Sequence, residues 1–210
     1  MKNGKFIVIE GPNKAGKTTF IRALVKAYSE CGYSVVSTRE PGGTPLGEGL
    51  RGVLKNPLMR GGSFATALAF NAARKEHAEA VILPDLERGE IVICDRYFPS
   101  TEIFQIELGG GMDPEDAALL RLLHRRFPRP DLLAFIIPDP ELIKQRSAAS
   151  DDVDAFEGNA RELEAYATYA SRISSEPGVQ IIRTSIGREC LDHAIKGIMG
   201  VEGARGVTAD

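Results

Sequence analysis

Phe6-Ile7-Val8-Ile9-Glu10-Gly11-Pro12-Asn13-Lys14-Ala15-Gly16-Lys17-Thr18 sets a short apolar, β-branched run directly before a glycine-bounded loop that closes on Lys-Thr. Such a run reads as a buried strand of a parallel sheet. In the loop, Gly11 and Gly16 permit a tight turn whose backbone N–H groups face inward, and a helix starting at Lys17 points its positive dipole end at the same place. Ile21, Leu24, Val25 and Tyr28 recur at helical spacing until Gly32, a natural residue past a helix end. Strand, phosphate cradle and helix therefore follow in the order that a nucleoside triphosphate site requires. A chance glycine turn would lack those flanks. Lys17 is expected to reach the β- and γ-phosphates and Thr18 to offer its hydroxyl to Mg²⁺. The expected ATP-binding residues are Gly11, Pro12, Asn13, Lys14, Ala15, Gly16, Lys17, Thr18 and Thr19.

Working outward, strands are predicted at Phe6–Glu10, Ser34–Arg39, Ile91–Cys94, Leu132–Ile137 and Val179–Thr184, alternating with longer segments of helical period. That alternation predicts an α/β fold, a single-domain P-loop NTPase with a five-stranded parallel sheet and helices on both faces. A long Ala-rich helix is expected from Ser63 to Arg88, kinked at Pro84 and closed by Gly89, and a shorter one from Pro114 to His124. With 210 residues and 43% hydrophobic content, one domain over residues 1–200 suffices, with a mobile lid at about 147–160 and a flexible tail at 201–210. The net charge of −3 provides no basic field for nucleic acid, and no apolar segment reaches membrane-spanning length, so a cytoplasmic protein is expected. Cys31, Cys94 and Cys190 have no metal-ligand spacing and are read as reduced, mostly buried thiols.

Asp95 ends a strand at the carboxyl edge, where open α/β sheets bind ligands, and is the candidate metal-side carboxylate beside Thr18. Arg96 follows it, and Arg39 ends the second strand. Two guanidinium groups there suit an acceptor phosphate, because the planar fork binds oxygens in pairs. A plain ion pair with Glu40 or Asp95 is the equally weighted alternative. Phe70 and Arg74 share a helix face, which suits a flat base stacked on the ring and bonded at its edge.

These residues resemble the thymidylate kinase family. Phe6 to Gly11, Thr38-Arg39-Glu40-Pro41-Gly42-Gly43-Thr44-Pro45-Leu46-Gly47 and Glu87-Arg88-Gly89-Glu90-Ile91-Val92-Ile93-Cys94-Asp95-Arg96-Tyr97 are similar to its signatures, in its order. The resemblance implies ATP with Mg²⁺ as donor complex, dTMP as acceptor, dTDP as product and a homodimer. It places Phe70 on the thymine, Arg74 at the base edge, Arg39 and Arg96 on the monophosphate, and Asn13, Glu40, Thr101, Phe104 and Gln105 around the acceptor. Lys17, Lys14, Arg96 and Asp95 are the expected catalytic residues.

Three features differ from the family pattern. Asn13 stands where a P-loop Asp or Glu is usual, and the Ser147–Ala160 lid has no Lys or Arg, leaving Lys14, Lys17 and Arg146 as the cations. Ile106 and Glu107 follow Gln105 where a small residue is usual. Another or modified deoxypyrimidine monophosphate is therefore the alternative acceptor, and a catalytically weak nucleotide-binding protein the alternative class.

Overall fold

The run that opens the chain forms β1 (Lys5–Glu10), followed by β2 (Val35–Arg39), β3 (Ile91–Asp95), β4 (Leu132–Pro138) and β5 (Val179–Thr184). The computed structural model describes residues 4–54, 63–148, 160–184 and 188–203. The strands form one parallel sheet in the order β2-β3-β1-β4-β5. The expected α/β class and strand number hold, with boundaries within one residue of those predicted.

Strand alternation divides the core between the two faces of the sheet. Phe6, Val8, Val92, Cys94, Leu133 and Phe135 point to one side and pack with Tyr97, Ile103, Tyr166 and Tyr169. Ile7, Ile9, Ile91, Ile93, Ala134 and Ile136 point to the other. There they meet Phe20, Ile21, Leu24 and Tyr28 of α1 (Lys17–Glu30) and Ile195 and Ile198 of α9 (Arg188–Gly203). Each such aliphatic or aromatic side chain, fully buried, supplies about 1.5–3 kcal/mol. Parallel strands buried on both faces must read as near-continuous apolar runs, and β1, β3 and β4 do.

The long Ala-rich segment departs from expectation in detail. It forms α3 (Ser63–His77), a π-helical turn (Ala78–Ile82) and α4 (Leu83–Glu87). Pro84 cannot donate to the ladder, and the wide turn immediately before it takes up the disruption expected as a kink. A helix, α2 (Pro45–Leu54), was not expected from a segment holding Gly47, Gly49 and Gly52. After β3 come α5 (Phe98–Glu102) and a second π-helical turn (Ile103–Glu107). The predicted Pro114–His124 helix is α6, capped by Asp113, which accepts from Glu115 N at 2.8 Å.

Beyond β4 lie α7 (Pro140–Ala148) and α8 (Ala160–Ile173). Most of the expected lid, residues 149–159, lies outside the described residues, as does 204–210 of the expected tail. The last helix runs to Gly203, past the point where the tail was expected to begin. Cys94 is buried, but Cys31 is exposed just past α1, contrary to the expectation of mostly buried thiols. The side chain of Cys190 is outside the described set. Among the described residues no helix is long and apolar enough to cross a membrane.

Candidate active site

The P-loop leaves the carboxyl end of the central strand. A Cβ on Gly11 (φ 148°) would lie 2.5 Å from the Ile136 carbonyl oxygen, so β4 leaves no room for a side chain there. Gly16 is left-handed at the N-cap of α1 (φ 95°), and Lys14 adopts the same region (φ 61°) at a backbone cost of order 1–3 kcal/mol. Lys17 is buried and its Nζ donates to the carbonyls of Gly11 (3.0 Å) and Pro12 (2.9 Å). Burial, followed by the nearby Arg96, pushes its ammonium down to about 7, with Asp95, Glu10 and Glu162 acting in the opposite direction. Anionic phosphates would raise it again.

Sheet register brings the expected metal and acceptor groups to one edge: Arg39 pairs with Asp95 across β2 and β3, and Asp95 with Ile9 across β3 and β1. Thr18, Arg22, Arg39, Glu48, Arg51 and Asp95 line an open cleft there. Asp95 Oδ1 is buried with no hydrogen-bond partner among the described residues. An orphaned carboxylate oxygen in a cleft shared with Thr18 fits a hard, oxygen-seeking cation.

The two arginines expected to clamp one phosphate turn to different neighbours. Arg39 Nη2 donates to both carboxylate oxygens of Glu48 (3.0 and 3.1 Å), an acidic partner other than the Glu40 or Asp95 considered from spacing. Arg96 has φ 70° and is fixed from several sides. Its N–H donates to the Ile9 carbonyl (3.0 Å), its Nη1 to Ser100 Oγ (3.0 Å) and to the Tyr166 hydroxyl, and its Nη2 to Asn13 Oδ1 (2.8 Å). Phe104 lies 5.4 Å from the guanidinium carbon. A non-glycine residue in that conformation persists only where its surroundings over-determine it, and such residues cluster at functional sites.

Arg74 is 1% exposed. It donates from Nε to Glu40 (2.7 Å), from Nη1 to Asn71 (2.8 Å) and from Nη2 to Thr101 Oγ1 (2.9 Å). Three of the guanidinium's five N–H groups are thereby committed, which orients the remaining two. Phe70 stands one turn earlier on α3, half-buried, and Phe104 and Gln105 sit in the second π-helical turn. Lys14 presents its carbonyl to Arg146 Nη1 at 2.9 Å, so the arginine at the end of α7 touches the P-loop.

Several site residues were missed by sequence reasoning. Glu10 is fully buried and accepts from Tyr97 N (2.8 Å), Ser100 N (3.2 Å) and Ser100 Oγ (2.7 Å), holding the turn that carries Arg96. Burial raises its carboxyl, against the pull of Arg96 and of those hydrogen bonds. A carboxylate ending an apolar strand was its available signal. Arg51 faces the Arg39 cleft, and Glu162 reaches the P-loop from α8. Glu162 and Tyr166 share one buried face at i,i+4, so a carboxylate within an apolar stripe was the signal there. Glu40, His77 and Cys94 cluster closely enough to suggest metal ligands, but His77 already bonds Glu40 (3.0 Å) and Thr38 (2.7 Å), and Arg74 occupies the other Glu40 oxygen. That cluster braces Arg74 instead.

The P-loop leaves the central strand, and Asp95 and Arg39 end the next two strands to one side of it. The glycine loop, a carboxylate oxygen partnerless among the described residues and a guanidinium thus gather at one edge of a parallel sheet, the arrangement of a P-loop protein. Residues 9–195 match the thymidylate kinase family model. A thymidylate kinase of Pseudomonas syringae pv. tomato is 40% identical over 83% of this chain and 84% of its own length. One of Bordetella petrii is 40% identical over 87% and 88%. The crystal structure of thymidylate kinase from Ehrlichia chaffeensis superposes with a TM-score of 0.71 at 28% identity, over 95% of this chain and 98% of that one. The chain belongs to the thymidylate kinase family, ATP-dependent phosphotransferases.

Proposed function

We propose that this chain transfers the γ-phosphoryl group of ATP to dTMP, giving ADP and dTDP. The observation that carries the reading is Arg96, held at φ 70° between P-loop Asn13 and Tyr166 and bonded to Ser100, the neighbour of the Thr101 that Arg74 bonds. An oxygen of the acceptor's monophosphate attacks the γ-phosphorus in line, and the bond from that phosphorus to the β,γ-bridging oxygen breaks. The nucleophile is already anionic, so the site's task is alignment and charge neutralisation rather than deprotonation.

In this reading Gly11 to Thr19 hold the donor, and Lys17, supported by Lys14 and Arg146, meets charge developing on the transferred group. Arg96 and the Arg39–Arg51 cleft receive the acceptor phosphate. Arg74, oriented by Glu40 and Thr101, reads the base edge, with Phe70 as the stacking ring and Phe104 and Gln105 beside it. Asp95 and Thr18 would hold Mg²⁺, which draws charge from the β- and γ-oxygens when bound. The protein is cytoplasmic and homodimeric in this reading, with no nucleic-acid or membrane partner.

The test is ADP release with ATP and Mg²⁺ across dTMP, dUMP, 5-hydroxymethyl-dUMP and dCMP. The highest kcat/KM is expected for dTMP. A rank among the poorest acceptors overturns the substrate assignment, and tight ATP binding without ADP release on any acceptor overturns the activity.

A further inference from the structure

Glu162 lies in the first turn of α8, yet it is 2% exposed and faces the P-loop. Its Oε1 accepts the backbone N–H of Asn13 at 2.8 Å, and the carboxylate also accepts from the Asn13 side chain. At the other end of that side chain, Oδ1 accepts from Arg96 Nη2 at 2.8 Å. A carboxamide carries a donor at one end and an acceptor at the other. It can therefore join a carboxylate to a guanidinium, whereas an aspartate at position 13 would turn a second negative oxygen toward Glu162. We propose that Glu162 is a positioning residue for the acceptor site: working through Asn13, it fixes the guanidinium of Arg96.

The electrostatics agree with the geometry. Burial raises the Glu162 carboxyl, while the Asn13 hydrogen bonds and the charges of Arg96 and Lys17 oppose that rise. Glu162 and Glu10 flank Arg96 from α8 and from β1, and both interact with Lys17. The amide at position 13 is thus matched to the carboxylate at position 162.

This inference rests on the reading above only in taking Arg96 as an acceptor ligand. The test is a charge-exchange cycle, with kcat and both KM values measured for the wild type, Asn13→Asp, Glu162→Gln and the double variant. dTMP is the acceptor, replaced by whichever monophosphate of the panel the wild type phosphorylates best, so a wrong base assignment leaves the cycle intact. Asn13→Asp alone, which sets a half-buried carboxylate against the buried Glu162, is expected to lower kcat/KM for the acceptor roughly 10- to 100-fold, with a smaller change in KM for ATP. Glu162→Gln alone is expected to raise acceptor KM about tenfold. In the double variant the amide and the carboxylate have changed places, and at least tenfold of the Asn13→Asp loss is expected to return. A double variant as poor as the product of the single losses overturns the proposal. So does a matching rise in the KM for ATP, which would mark Glu162 as a general brace of the P-loop. Should Asn13→Asp fail to fold, Glu162→Gln decides: an unchanged acceptor KM overturns the proposal.

Discussion

Lys17 holds two carbonyls of its own loop, and its ammonium is pushed down to about 7 by burial and by Arg96. Triphosphate binding adds negative charge beside it and raises that value. The sign follows: at pH 8 the free protein holds Lys17 largely neutral and the complex holds it charged, so binding takes up a proton. At pH 6 both are charged and uptake vanishes. Calorimetry in buffers of different ionisation heat is expected to show uptake approaching one proton at pH 8, with ATP affinity falling as pH rises above 7. No uptake at pH 8 would place the phosphates away from Lys17. Lys17, Asp95 and Arg96 could be found in the chain because each lies within two residues of a strand or a glycine loop whose pattern fixes its place. Glu162 could not be connected to Asn13, because the two are 149 residues apart and meet only when α8 packs against β4 and β5.

The β1–loop–α1 unit depends on close approach between backbones. Gly11→Ala would drive a methyl group to 2.5 Å from the Ile136 carbonyl in a backbone conformation that side chains rarely adopt. About 1–3 kcal/mol of stability should be lost, seen as a lower urea midpoint, along with a weaker ATP affinity as the cradle shifts. A wild-type midpoint in this variant would show that β4 can retreat. Helices with a clear apolar period were predictable, and α6 was found at its observed ends. The two π-helical turns were not, since a five-residue closure carries no separate periodic signal over so short a span.

For the whole molecule, α2, α3 and α6 expose Leu46, Val53, Leu68, Leu119 and Leu122, and α3 packs against both of the other two helices. Apolar side chains gathered on adjoining helices offer a surface for the proposed homodimer. Sedimentation should then give twice the 22.7 kDa chain mass, and Leu68→Glu or Leu122→Glu should shift the population to monomer. A monomeric wild type at micromolar concentration would remove dimerisation from the proposal. Apolar runs and the glycine loop were enough for the sheet and the P-loop turn, and the Thr38–Gly47 and Glu87–Tyr97 motifs for the family, because these are short-range patterns written into consecutive residues. The proposed acceptor side depended on folding. Arg39 meeting Glu48, Arg74 braced by Glu40 and Thr101, and Asn13 bridging Glu162 to Arg96 are contacts between distant segments, and residue type says nothing of them until packing selects which partner each charge meets.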